Sequence, residues 1–223
     1  MKKLIALFLI SSQIYAGPIE DLKEEVYDGV RDVYGWCSLE KASRFIDLVL
    51  EVKPRLCVEI GVFGGASLLP VASALQFLGR GIVIAIDPWD KIECIRYLDP
   101  DKDRTDLKWW AHLNMDHIYF GFLNMLRQFE LEKTCMILRV TSQKAASLVG
   151  AIDILHIDGN HEPQVAEQDV RLYLPKVKQG GYIWFNDALW STLKPAIDLL
   201  LRSCDIIDSV DNGNCILFRK RQL

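Results

Sequence analysis

Residues 155–161 read LHIDGNH: an apolar run ends in Asp158, a glycine and Asn160, with His156 inside the run and His161 just past it. A carboxylate and an imidazole this close can move a proton, because histidine titrates near neutrality, or can hold a cation. The same letters also arise where a buried strand runs into a loop. His156 alternates within the strand interior, which assigns it to the core as a hydrogen-bonded histidine. Asn160 and Glu162 stand where capping residues precede a helix over 162–174 and are given no chemistry.

A second cluster lies upstream. In VEIGVFGGAS, Glu59 ends a short apolar run, and Gly61, Gly64 and Gly65 make a turn into a helix. Glycines at such a turn let a ligand approach the backbone, and the helix start offers free N–H groups. A dinucleotide turn would need glycine at position 63, where Phe63 stands and would block a pyrophosphate. An acid ahead of the turn suits a ligand with a cationic group. After the next apolar run, Asp87 can accept from both hydroxyls of a ribose, and Pro88 with Trp89 can sandwich a nucleobase. A cationic group, a ribose and a base together describe S-adenosylmethionine.

The elements that must place these residues follow from period and punctuation. The chain has 223 residues, half apolar and a quarter charged, enough for one globular domain. Its formal charge of −4 and the lack of a basic cluster beyond Arg219-Lys220-Arg221 argue against a nucleic-acid surface. Residues 17–37 show no strong pattern. From Ser38, apolar residues at 39, 42, 45, 46 and 49 repeat at helical spacing until Pro54. Strands are expected at 56–60, 82–86, 136–140, 152–157 and 182–185, separated by helices such as 162–174 and 192–203. Continuous apolar strands alternating with helices indicate a parallel sheet covered on both faces. DIIDSV and CILFRK, joined by DNGN, form a hairpin, so the last strand runs antiparallel. Residues 90–129 interrupt the alternation with a charged loop and one aromatic-rich helix, a lid or insert. Trp109 and Trp110 cannot both face a core from one helix, so one lines a cleft or an interface.

Residues 1–16 read as a signal peptide: two lysines, the apolar run LIALFLI, and a small residue, Ala16, at the cleavage point. The run is shorter than the roughly 20 residues that span a bilayer, so no stable membrane anchor is expected. Cleavage would take the charge to −6 and place the protein outside the cytoplasm: periplasmic, secreted or delivered into a host cell. A cytoplasmic location is the alternative, and it is where S-adenosylmethionine is made. The six cysteines include no C-x-x-C pair, and in the expected hairpin Cys215 faces Val210, so buried free thiols are expected.

Taken together, VEIGVFGGAS, IAIDPW, HIDGNH and LPKVKQGGYIWFND resemble successive motifs of the class I S-adenosylmethionine-dependent methyltransferases, over about residues 38–219. The chain is most similar to the catechol and antibiotic-sugar O-methyltransferase branch, whose first motif carries a serine as at Ser67. The resemblance implies a Rossmann-like, doubly wound α/β fold with a seven-stranded sheet of order 3-2-1-4-5-7-6 and strand 7 antiparallel. The expected organisation is a helical segment over 17–50 and a methyltransferase domain over 51–223. Glu59, Gly61, Gly64, Gly65, Ser67, Asp87, Trp89, Ser142 and Asp158 would serve the cofactor, with Ser142 near the adenine. The branch also implies a divalent cation, Mg²⁺ or similar, on Asp158, Asn186 and Asp187, where it would acidify a substrate hydroxyl. His161 stands where the branch has a lysine base. It is read as the base, a further metal ligand or a helix-start residue bonded to Asp158, and Asp158 joins it as a catalytic candidate. The expected partner is a small hydroxylated molecule, with a homodimer left open. Two alternatives remain: a binding protein on the same fold, since some antibiotic-pathway relatives carry a hydroxylase name, and an NAD-dependent oxidoreductase.

Overall fold

Ser38 starts the first well-marked helix by accepting the Lys41 N–H, and Lys53 ends it in the left-handed region with its N–H on the Val49 carbonyl. Pro54 then forbids continuation. This computed structural model describes residues 2–101 and 103–222, with the side chains of residues 2–16 and of residue 104 outside the description. Of residues 1–16, on which the signal-peptide expectation falls, only the backbone of residues 2–16 is described.

The chain runs α1 (Lys2–Asp32), α2 (Leu39–Val52), β1 (Leu56–Ile60), α3 (Leu68–Phe77), β2 (Ile82–Ile86), α4 (Lys91–Ile95), α5 (Arg104–His112) and α6 (Met115–Gln128). It continues through β3 (Cys135–Leu138), α7 (Ser142–Ala145), β4 (Ile152–Ile157), α8 (Pro163–Tyr173), β5 (Val177–Phe185), α9 (Lys194–Leu201), β6 (Cys204–Val210) and β7 (Cys215–Lys220). The sheet order is β3-β2-β1-β4-β5-β7-β6, with β7 antiparallel to both neighbours. This is the Rossmann-like order expected, and among the described residues no helix is long and apolar enough to cross a membrane.

Alternation along each strand assigns its side chains to two cores. Cys57, Val83, Ile154 and Trp184 pack beneath α2 and α3 with Phe45, Val49 and Leu75. Val58, Ile84, Leu155 and Ile183 pack on the other face with Val170 and Tyr173 of α8 and Leu200 of α9. Glu59 and His156 share parity with the first set, so strand geometry alone turns them toward α2. They are register partners, and His156 pairs in turn with Trp184, giving a polar row across β1, β4 and β5.

The segment 17–37, where the sequence shows no strong pattern, is helical to Asp32, with Val26 and Val30 buried against the first core. Several other boundaries differ from expectation. The single helix expected in the insert is broken at Leu113-Asn114. There Asn114 leaves helical geometry and caps α6 by accepting the His117 N–H. Strand β3 is shorter than expected and β5 begins earlier, at Val177. The hairpin has the expected register, Val210 opposite Cys215, and all six cysteines are free.

Candidate active site

Because β1, β4 and β5 run parallel and adjacent, residues just past their carboxyl ends share one rim, where ligands bind in doubly wound sheets. Asp158 follows β4, and Asn186-Asp187 follow β5. The Asp187 backbone is left-handed, φ 54°, and its carboxylate is held by Asn214 Nδ2 at 3.0 Å and Asn186 Nδ2 at 2.9 Å. His161 Nε2 lies 3.0 Å from Asp187 Oδ2, and its ring packs edge-on against Trp190. Burial works to raise the Asp187 carboxyl, but the His161 and Asn214 hydrogen bonds outweigh it and hold the pKa at about 2. For His161 burial works downward, and the Asp187 bond and charge override it, raising the imidazole above its usual range.

One donor atom from each of Asp158, His161 and Asp187 falls within a 4.8 Å cluster, a set able to take a divalent cation. Asn186, expected as a ligand, has its amide engaged by its neighbours. Its Oδ1 accepts from Lys41 Nζ at 2.7 Å, and its Nδ2 donates to Asp158 Oδ1 at 3.0 Å as well as to Asp187. An ammonium has only donors, so the Asn186 oxygen must face Lys41 and the NH₂ must face the carboxylates, where it cannot ligate. The set that fits a metal is thus two carboxylates and an imidazole. Lys41 was not singled out from sequence. Its ammonium is 2% exposed and 3.5 Å from Asp158 Oδ2. Desolvation pulls its pKa down, and the Asp158 charge more than restores it.

The glycine turn is shaped by the chain itself. A Cβ on Gly61 would lie 2.0 Å from the Asp158 carbonyl oxygen, and one on Gly64 would lie 1.8 Å from that of Tyr34; Gly65 faces Met125 and Phe122. The turn therefore admits the β4 loop and the segment after α1 at backbone distance. Asp87 Oδ2 accepts the Val62 and Phe63 N–H groups at 3.0 and 2.9 Å, and its Oδ1 accepts that of Trp89 at 2.7 Å. Burial still dominates and raises the Asp87 pKa. Glu59 lies behind the turn, 1% exposed, with Ser67 Oγ on its Oε1 at 2.6 Å. His156 is buried as expected but is not satisfied. Neither ring nitrogen has a hydrogen-bond partner among the described residues, nor do Glu59 Oε2 and Trp184 Nε1.

Trp89 is a correction. Its ring is buried against Phe122 and Tyr119, with Nε1 donating to the Phe63 carbonyl at 2.7 Å, so no face is open to a base. Beyond it, an open cleft of about 660 Å³ lies between residues 88–91, residues 111–116 and Arg139, at the ends of β2 and β3. That volume suits a nucleoside-sized ligand. The two tryptophans of the insert divide as expected: Trp110 packs on the core, while Trp109 is exposed and stacks on Phe63. Trp36 stacks on the same Phe63, leaving an aromatic patch over the turn.

Ser142 Oγ donates to Asp169 Oδ1 at 2.5 Å, and its carbonyl accepts from Tyr173 Oη at 2.7 Å. Asp169, overlooked in the sequence, sits on the buried face of α8 with Ala166, Val170 and Tyr173. Burial, only partly offset by Ser142, raises its pKa from 3.8 to about 6. The folded state therefore binds the proton more tightly than the unfolded chain. This contribution to stability is full below pH 3.8 and is lost as pH rises to about 6, a fall of about 3 kcal/mol. Asp169→Asn is expected to flatten that fall and to raise stability above neutral pH. Urea denaturation of both proteins across pH 4–8 checks it, and identical pH profiles would clear Asp169 as the source.

Comparison with known proteins adds the family context. A profile of the family described as "Methyltransferase domain" matches residues 58–188, more than half of the chain. Protein R132 of Acanthamoeba polyphaga mimivirus, itself described as uncharacterized, is 32% identical over 133 residues, covering 58% of this chain and 50% of that protein. The chain thus spans about half the length of the curated relative it matches. Among solved structures, the methyltransferase PaMTH1 of Podospora anserina, bound to S-adenosylhomocysteine, superposes with a TM-score of 0.63 at 13% identity, over 91% of this chain and 88% of that one. The O-methyltransferase TomG of Streptomyces achromogenes, involved in tomaymycin synthesis and solved with S-adenosylmethionine, gives 0.62 at 13% identity, over 91% and 90%. At such identities the likeness is one of fold.

Proposed function

We propose, because the chain belongs to the methyltransferase domain family, that it uses S-adenosylmethionine to methylate a hydroxyl group of a small molecule. The observation that carries this reading is the rim itself, where Asp158, His161 and Asp187 converge beside the glycine turn of a 3-2-1-4-5-7-6 sheet. The cofactor lies along the turn at 61–65 and past Asp87, with its nucleoside end toward the cleft at residues 88–91 and Ser142. Holding sulfonium and hydroxyl in line supplies most of the acceleration, about 7–11 kcal/mol in well-oriented systems. His161, steered through Nε2 by Asp187, takes the acceptor proton at its other ring nitrogen. Helices α4 and α5 act as the lid: Asn160 Nδ2 reaches the Cys94 carbonyl at 3.5 Å, and the Asp106 charge acts on His161. Trp109, one helical turn from Asp106, offers a flat acceptor a stacking face.

A second reading, metal-assisted transfer, is favoured by the 4.8 Å cluster of donor atoms. Asp158, His161 and Asp187 would hold the ion, which when bound lowers the pKa of a coordinated hydroxyl. An imidazole among the donors suits Mn²⁺ or Zn²⁺ at least as well as Mg²⁺. Export of the protein is a further proposal, resting on the residue pattern at 1–16 alone. N-terminal sequencing of an extracellular or periplasmic fraction tests it, and an intact Met1 confined to cytosol would end it.

Isothermal titration with S-adenosylhomocysteine and with NAD tests the function. Binding of the first and not the second is expected. A purified chain that binds neither S-adenosylhomocysteine nor S-adenosylmethionine would overturn the reading, and binding without methyl transfer to any hydroxylated acceptor would favour a binding protein.

A further inference from the structure

Lys41 reaches the rim from a helix, α2, rather than from a loop or a strand end. Position 41 lies on the buried stripe of α2, one turn before Phe45, and its stem runs through the core to bring Nζ to the ends of β4 and β5. A buried ammonium is retained only where its charge is matched and its donors are engaged. Here it is matched by Asp158 Oδ2 at 3.5 Å and engaged by Asn186 Oδ1 at 2.7 Å. The second contact fixes more than Lys41. With its oxygen held, Asn186 must present its NH₂ to Asp158 and Asp187, tying both carboxylates into one network. Two anions, Asp158 and Asp187, thus face the Lys41 ammonium and the His161 imidazole.

We propose that Lys41 is the resident counter-cation of this rim: it fills the charge role a divalent ion would have at Asp158 and orients Asn186, so the site is assembled without metal and binds divalent ions only weakly. The proposal rests on reading the rim as the reacting site and concerns how that site is held together. Lys41 is a positioning residue in this account, acting through Asn186 and Asp158. Its charge, fixed a few ångströms from the donor cluster, repels a second cation in a partly desolvated place where such repulsion is poorly screened.

The test is Mn²⁺ titration, read by the paramagnetic resonance signal of the free ion, on the wild-type protein, Lys41→Met and Lys41→Gln. Both variants are expected to bind Mn²⁺ tighter than wild type by about tenfold or more, because each removes the competing charge and leaves Asp158 unmatched. A merely structural lysine would give no such gain. Should Lys41→Met fold only when Mn²⁺ is added, by near-ultraviolet circular dichroism, that also supports the proposal. Should it not fold at all, Lys41→Gln decides. Equal Mn²⁺ affinity in wild type and Lys41→Gln, or tighter binding by wild type, would overturn it. S-adenosylhomocysteine titrated into wild type with and without EDTA keeps the two claims apart. Affinity that vanishes with EDTA counts against Lys41 as the resident cation. Failure to bind at all, with the Mn²⁺ gain intact, counts against methyl transfer and leaves the Lys41 assignment standing.

Discussion

Replacing His161 by alanine is expected to lower turnover by about 10²–10⁴-fold, the span attributed to a positioned general base, while leaving affinity for S-adenosylhomocysteine unchanged. The separation follows from placement. His161 is bound to Asp187 and packed on Trp190 at the ends of β4 and β5, whereas the glycine turn and the cleft past β2 involve other residues. Steady-state kinetics with a hydroxylated acceptor, paired with isothermal titration, reads both quantities from one preparation. Partial recovery of the alanine variant by added imidazole is the signature of a missing base. Asp187→Asn supplies the companion measurement. It keeps a side-chain oxygen near His161 but removes the charge, so kcat is expected to fall with KM little changed. Full activity in His161→Ala would return the residue to a structural role on Trp190.

How much of this site was legible before the structure depended on whether the contacts were local. Apolar runs closed by Asp87 or Asp158, the Asn-Gly turn and the Pro54 stop are local signals, and the strands and the β6–β7 register follow them, whereas the sheet order is implied by the family resemblance of the motifs. Trp89 was misread because what covers its ring, Tyr119 and Phe122 of α6, lies some thirty residues away and leaves no mark beside it. Asn186 was misread for a related reason: only a partner on α2, 145 positions distant, decides which way its amide faces. Lys41 and Asp169 did leave a mark. Each is a charged residue on the apolar stripe of an amphipathic helix, at helical spacing from Phe45 in one case and from Ala166 and Tyr173 in the other. Charge on a buried stripe demands a partner, and that demand is a sequence-level pointer to a site.

The glycine turn carries the largest expected effect on folding. Gly61→Ala is expected to destabilise the protein by more than about 4 kcal/mol, in the range reserved for severe backbone conflict. Two independent costs add at this position. Its φ of 84° lies where residues with a Cβ are strained, and the new methyl would sit 2.0 Å from the Asp158 carbonyl oxygen and 2.7 Å from the Gly159 Cα. Neither neighbour can yield as a flexible side chain would. The Asp158 N–H is bonded to the Ile60 carbonyl at 2.9 Å, and the Gly61 N–H to the Ile86 carbonyl at 2.9 Å, so β1 is clamped between β2 and the β4 loop. Relaxation that moves the Asp158 backbone also disturbs the carboxylate that meets Lys41 and Asn186. Gly121→Ala is the control: nothing lies within 4 Å of its Cβ direction on helix α6, and stability is expected to hold or rise slightly. Urea midpoints of the two variants test the contrast. Near-equal midpoints would mean that the turn and the β4 loop separate readily in solution, and the coupling drawn between the glycine turn and Asp158 would fall with it.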